Sequence, residues 1–245
     1  MTLRIPQERL ADRRGLLAAL DNQNRRIDQS GMMNALGEFE GRAVDLIRGK
    51  AREAFDLSRE DPKVREKYGK GKENLGEKLL LARRLAEAGV GLINVRYGSW
   101  DSLGTNPSVG HGTIEEEMHN YVPELDRALS VFLEDLYARG LEKKILLAVV
   151  GEFGRTPNVD RISGGRDHWP QLGNQLLAGG GMKMGEIIGS STTRGEEPKT
   201  HPVTPNDLRA TFFKFLGVPT NLHFTNPSGR PQSIADGGKV IEELW

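Results

Sequence analysis

The stretch ILLAVVGEFGRTP, residues 145–157, decides how the chain is read. Its first six residues are apolar, and Ile145, Val149 and Val150 are β-branched, so the run predicts a buried strand. The next seven residues hold two glycines and a proline, and they carry Glu152 and Arg155. A buried strand opening into a polar loop is the repeating unit of α/β sheets, whose ligands gather beyond the carboxyl ends of the strands. The loop continues as NVDRISGGRDHWPQ, residues 158–171, adding Arg166, Asp167 and His168.

The chain on either side supplies the rest of an α/β pattern. ENLGEKLLLARRLAEAG (73–89) predicts a helix that stops at Gly89, and GLINVRYG (91–98) predicts a strand. Residues 113–140 begin with a T-x-x-E capping box, Thr113 and Glu116. Leu125, Ala128, Leu129, Phe132, Leu133 and Leu136 follow as a core-facing stripe, Pro123 predicts a kink or restart, and Gly140 a stop. GNQLLAGGG (173–181) reads as a short strand entering a glycine turn. In VTPNDLRATFFKFLG (203–217), Thr204 caps, Pro205 takes the first helical position, Asp207 favours the dipole and Gly217 ends the helix. This alternation predicts a mostly parallel sheet with helices on both faces over residues 73–245. Residues 1–72 predict a helical segment packing on that core. They carry loose apolar stripes (Leu10, Leu17, Leu20, Ile27; then Val44, Leu46, Ile47, Ala51, Phe55) and a short helix with Asp61 as cap and Pro62 first.

Composition narrows the function. Of 245 residues, 34 are Lys or Arg and 34 are Asp or Glu, so nothing in the overall charge argues for nucleic acid or an anionic membrane as partner. No run of apolar residues is long enough to span a bilayer. There is no cysteine, which removes disulfides, thiolate metal sites and Cys nucleophiles. The start, MTLRIPQERLADRR, has no signal-peptide core, so it leaves the compartment of this chain open.

With parallel strands ending near Val95 and Val150, Asp101 and Glu152 would share one rim, joined by Asp167 and His168 with Arg155 and Arg166 nearby. His111, in the loop after Asp101, could also reach it. Carboxylates with imidazoles suit a divalent cation such as Mg²⁺, Mn²⁺ or Zn²⁺. Adjacent arginines suit a phosphate or sulfate oxyanion. The competing reading is plainer: carboxylates and arginines on adjacent loops pair as salt bridges, and Asp167 serves a turn. Trp100 and Trp169 then pack the loops down, and His119, His201 and His223 are surface or loop residues. No G-x-S-x-G elbow is present. The glycine run 179–181 lacks the G-K-[ST] of a phosphate loop and reads as a tight turn. Ser102 and Thr156 are hydroxyls near the rim without an evident base partner.

Several longer motifs go further. LSREDPKVREKYG, GEFGRTP, GGRDHWP, LLAGGGMKMGEIIG, PVTPNDLRATFFKFLG and the tail NPSGRPQSIADGGKVIEELW together resemble the DUF1501 family, abundant in planctomycete-type bacteria. The resemblance implies an alkaline phosphatase-like α/β fold and metal-dependent hydrolysis of phosphate or sulfate esters, with small-molecule esters, some on carbohydrates, as substrates. It also implies a divalent metal (Zn, Mn, Mg or Ca). Asp101 and His168 would belong to one metal site and Glu152 to a second. Family members usually read W-D-x-H where this chain has Trp100-Asp101-Ser102-Leu103, and leucine donates no lone pair. Members are also usually longer, with an earlier half carrying an export signal, a metal-binding Asp and the nucleophile. The expectation is therefore a chain matching the second half of the family, lacking the N-terminal part of the fold. The full-length pattern implies an exported or periplasmic protein. The chain itself would be an incomplete or impaired hydrolase, with Arg155 or Arg166 as its oxyanion-stabilising groups. The alternative is a non-catalytic oxyanion- or sugar-binding module, forming a homo-oligomer or completed by an N-terminal fragment.

Overall fold

The computed structural model describes residues 9, 12–13, 15–16, 50–105 and 112–245, which divide into two compact units. Leu10, Leu17, Leu20, Ile27, Val44, Leu46, Ile47 and His111 lie outside the described residues, as does the side chain of Ala51.

The first unit holds α1 (Lys50–Ala54), a 3₁₀ turn (Leu57–Arg59), α2 (Pro62–Tyr68) and most of α3 (Leu75–Glu87). The start of α2 is as its sequence predicts: the Asp61 carboxylate accepts from Lys63 N, Pro62 needs no donor, and Gly69 closes the end at φ 67°. Phe55, expected on a helical stripe, falls just past the end of α1 and is exposed. Ala54, Tyr68, Leu79 and Leu80 are buried. Arg83 is 1% exposed and pairs with Glu60, 8% exposed, and with Glu87 at 2.6 Å. Its neighbour Arg84 donates to Ala54 O at 3.0 Å and Glu53 O at 2.8 Å. The guanidinium thereby adds donors to carbonyls at the end of α1, of which Glu53 O also accepts from Asp56 N at 3.2 Å.

The second unit holds the remaining chain from Tyr97, with residues 71–76. Its longest element is α4 (Ile114–Ala138), opened by the Thr113/Glu116 capping box. Ala128, Phe132 and Leu136 are buried along one face, and Leu125, Leu129 and Leu133 are partly buried beside them. The helix runs unbroken through Pro123. The ring removes the donor that would have met His119 O, but both residues are exposed, so water can take that carbonyl.

Eight short strands follow α4 as four antiparallel pairs: β1 (Leu146–Val149) with β4 (Leu176–Gly179), β2 (Gly154–Arg155) with β3 (His168–Trp169), β5 (Ser190–Ser191) with β6 (Pro198–Thr200), and β7 (His223–Thr225) with β8 (Pro231–Ser233). The mostly parallel sheet is therefore not seen among the described residues, and residues 91–98 join no ladder. The physical reason lies in the connections. A parallel pair needs a crossover, usually helical, whereas the chain between Val149 and Leu176 contains no helix and comes back to pair antiparallel, Leu146 opposite Gly179. The turn after β4 is the glycine run: Gly179, Gly180 and Gly181 all have φ between 64° and 81°, which side chains rarely adopt.

After β6, α5 (Pro205–Phe215) is capped by Thr204 as predicted, and Asp207, expected to favour the dipole, also closes a capping box with it. The core beneath it gathers Met182, Ile241 and Leu244, with Leu146, Leu177, Leu208 and Trp245 packed against them. Buried Thr211 accepts from Ile241 N at 3.1 Å, and Asp207 accepts from Lys239 N at 2.7 Å, so α5 holds the C-terminal segment. No helix among the described residues is long and apolar enough to cross a membrane.

Candidate functional site

The site is built on β2 and β3. Their register places Arg155 directly opposite His168, and directly opposed residues project from the same face of a ribbon. Two glycines allow this. A Cβ on Gly154 would overlap the carbonyl of Leu172, and one on buried Gly165 would overlap the backbone of Leu103 and Gly104. Gly165 thus seats the 158–167 loop directly on the loop that carries Asp101, where Arg166 N donates to Ser102 O at 2.8 Å.

That approach brings three groups separated in sequence to one point. Arg155 Nη2 lies 2.8 Å from Asp101 Oδ1 and His168 Nε2 lies 3.4 Å from the same oxygen. Asp101 is 31% exposed, Arg155 20% and His168 49%. Arg155 Nη2 also donates to Trp100 O at 2.8 Å. Phe153 packs against both neighbours: its ring lies 4.3 Å from the His168 ring and 5.6 Å from the Arg155 guanidinium carbon, the latter a cation–π contact. The sequence reading did not single out Phe153, although its place between Glu152 and Arg155 was a usable signal.

Trp100 has φ 55°, a conformation costly for a bulky residue. It is held by Arg155 on its carbonyl, by its own Nε1 donating to Tyr97 O at 2.9 Å, and by packing against Tyr97 and Tyr121. Tyr97 donates to Tyr121 O, and burial first, then the charges of Glu124 and Glu73, push its hydroxyl up to about 12. Trp169 donates to Glu196 O at 2.7 Å. Both tryptophans therefore pack loops.

The remaining candidates lie apart from this point. Arg166 Nη1 is engaged as a brace, donating to Thr156 O at 2.7 Å and Pro157 O at 3.0 Å. Glu152 and Asp167 are exposed, and their carboxylates have no partner among the described residues. Asp167 uses its backbone, pairing with Thr156 across the ribbon. His119 and His201 are exposed, and His201 meets Glu243 at 3.1 Å. His223 stands in β7 rather than a loop. Asp160 shapes the loop tip by accepting from Ser163 N and Ile162 N, which lowers its carboxyl below the usual range.

The comparisons with known proteins bear on the whole chain. A family model described as a protein of unknown function matches residues 2–245. The chain belongs to the DUF1501 family. No curated protein and no solved structure matches it. The divalent cation expected for this DUF1501 chain can be tested against its donors. Among the described residues, no group of three or more His, Asp or Glu side chains converges, whereas a zinc site asks for at least three protein ligands. Asp101 and His168 are two, and the shared oxygen of Asp101 is already paired with a guanidinium. A divalent ion on that oxygen would stand roughly 4 Å from Arg155, a repulsion on the order of 8 kcal/mol at an effective dielectric of about 20. The described donors by themselves, with His111 outside the described residues, do not complete a zinc site.

Proposed function

We propose that this DUF1501 chain is an impaired relative of phosphate and sulfate ester hydrolases. It keeps an acid–imidazole–guanidinium set at a partly open rim but turns over little ester by itself. The observation that carries the reading is the meeting of Asp101 with His168 and Arg155, 67 and 54 positions away in the chain. An imidazole held by a carboxylate can take or give a proton, and a guanidinium suits the oxyanion of such an ester. The impairment follows from occupancy: Arg155 is committed to Asp101, Arg166 to carbonyls, and Leu103 offers no donor. Neither Ser102 nor Thr156 has a base against it among the described residues. The test is turnover of aryl phosphates and aryl sulfates with added Mn²⁺ or Zn²⁺, wild type beside Glu152→Gln. Turnover near background is expected from both, and robust turnover lost in the variant contradicts the impaired reading.

A second reading, a non-catalytic oxyanion-binding module, is favoured by one observation. Arg155 Nη1 and Arg166 Nε are buried without hydrogen-bond partners, so both guanidiniums retain donor capacity. Calorimetry with inorganic phosphate and sulfate, with and without a chelator, tests it: chelator-insensitive binding without turnover is its signature.

A further inference from the structure

We infer that Arg155 is the resident cation of this rim: its guanidinium occupies Asp101 in place of a divalent ion and closes the site to metal. The inference rests on the reading of the rim as a site descended from cation-assisted ester hydrolysis, and it names what closes that site in this chain.

Three observations carry it. Arg155 and His168 converge on the one oxygen, Asp101 Oδ1, at 2.8 and 3.4 Å, so the guanidinium already holds the carboxylate oxygen that an ion shared with His168 would need. The guanidinium is held in place by more than Asp101. It donates to Trp100 O and lies against Phe153, so it cannot leave the carboxylate without giving up both. Its side chain is also fixed from behind, because the β2–β3 register sets Arg155 beside His168 and the close seat at Gly154 fixes that hairpin. A guanidinium never loses its charge in the range where proteins fold, so the closure is permanent at any working pH.

The experiment is calorimetric titration of Zn²⁺ and of Mn²⁺ into the full chain. The proteins are wild type, Arg155→Gln, Arg155→Lys and the double variant Arg155→Gln with Asp101→Asn. Wild type is expected to bind neither ion at sub-millimolar concentration. Arg155→Gln should gain at least tenfold in affinity, Arg155→Lys should not because it keeps the charge, and the double variant should lose the gain. Wild-type binding that Arg155→Gln fails to improve overturns the inference, as does a gain that survives Asp101→Asn. Wild type alone gives an independent check if Arg155→Gln does not fold: sub-millimolar Mn²⁺ should leave the His168 imidazole resonances unbroadened, and broadening overturns the inference. The outcomes separate this inference from the hydrolase reading. Metal-stimulated ester turnover by wild type would overturn the closed site while keeping the hydrolase class. A gain of metal binding in Arg155→Gln, with no phosphate or sulfate bound by that metal-loaded variant, would keep the closed site and remove the hydrolase reading.

Discussion

Replacing Gly165 by alanine should break the seat on which the rim is built. The added Cβ would fall under 3.0 Å from three backbone atoms, the carbonyl carbon and oxygen of Leu103 and the nitrogen of Gly104. Backbone atoms cannot turn aside as a side-chain tip can, so the two loops must part. Overpacking of this kind typically destabilises by about 1–3 kcal/mol. Parting the loops also stretches Arg166 N→Ser102 O, 2.8 Å, and Asp160 N→Gly165 O, 2.9 Å. At about 1 kcal/mol for each bond the expected loss is roughly 3–5 kcal/mol. Gly151→Ala is the matched control: its Cβ would meet only Phe153 O, at 3.8 Å, in ordinary contact. Any glycine-to-alanine change restricts the unfolded chain and adds about 0.4–1 kcal/mol of stability, but that contribution cancels between the two variants. The assay is denaturant unfolding followed by tryptophan fluorescence, for which Trp100 and Trp169 stand beside the rim. Equal stability of the two variants, to within about 0.5 kcal/mol, would refute the close seat and with it the placement of Asp101 against Arg155 and His168.

Other consequences follow from groups away from the rim. The Asp207 carboxyl is lowered by the Thr204 hydroxyl first, then by the backbone N–H groups of Lys239 and Thr204. Its contribution to stability is therefore complete above the unfolded value, about 3.9, and lost as pH falls through the lower folded value. Asp207→Asn should flatten the acid limb of the stability–pH curve, measured by denaturant unfolding between neutral pH and acid. Tyr97, raised to about 12 by burial and by Glu124 and Glu73, should ionise well above a free tyrosine in a spectroscopic titration, and stability should fall between about pH 10 and its own value. Arg83→Met removes one of the two guanidiniums paired with buried Glu60, and should cost less than the roughly 3–5 kcal/mol of a wholly unpaired buried charge in thermal or denaturant unfolding. Glu60 also meets Arg84 at 3.1 Å, so adding Glu60→Leu should recover only part of that loss.

Local chemistry was the legible part of this sequence. Thr113 with Glu116, Asp61 with Pro62, and Thr204 with Asp207 each mark a helix start within one turn, because an orphan backbone N–H is met by a side chain at most three residues away. The turn at Gly179–Gly181 was legible for the same reason. Strand direction was not. Residues 145–150 and 173–179 are apolar enough to be strands, but nothing within either says that the helix-free stretch between them returns antiparallel. Residues 91–98 are apolar enough to suggest a strand, yet a strand exists only with a partner, and pairing is a long-range property.

The convergence at Asp101 was expected from two parallel strands ending at one rim, and it arises differently. A ribbon of two residues a side sets Arg155 against His168, and a glycine with no side chain lets the loop carrying Asp101 come down on them. The geometry explains why the expected neighbours divide as they do. Asp167 is next to His168, so the alternation of a strand turns its side chain to the other face of the ribbon, and it stays exposed. Glu152 precedes the ribbon and is exposed as well. A motif that places seven charged or imidazole side chains within the seventeen positions 152–168 thus delivers only two of them, Arg155 and His168, to Asp101, because those two alone share a register. The guanidinium was counted in the sequence as a group for an external oxyanion, while the nearest anion is one the chain supplies itself. On the proposed impaired-hydrolase reading, that substitution of an internal pair for an external ligand is what would keep the rim from turning ester over.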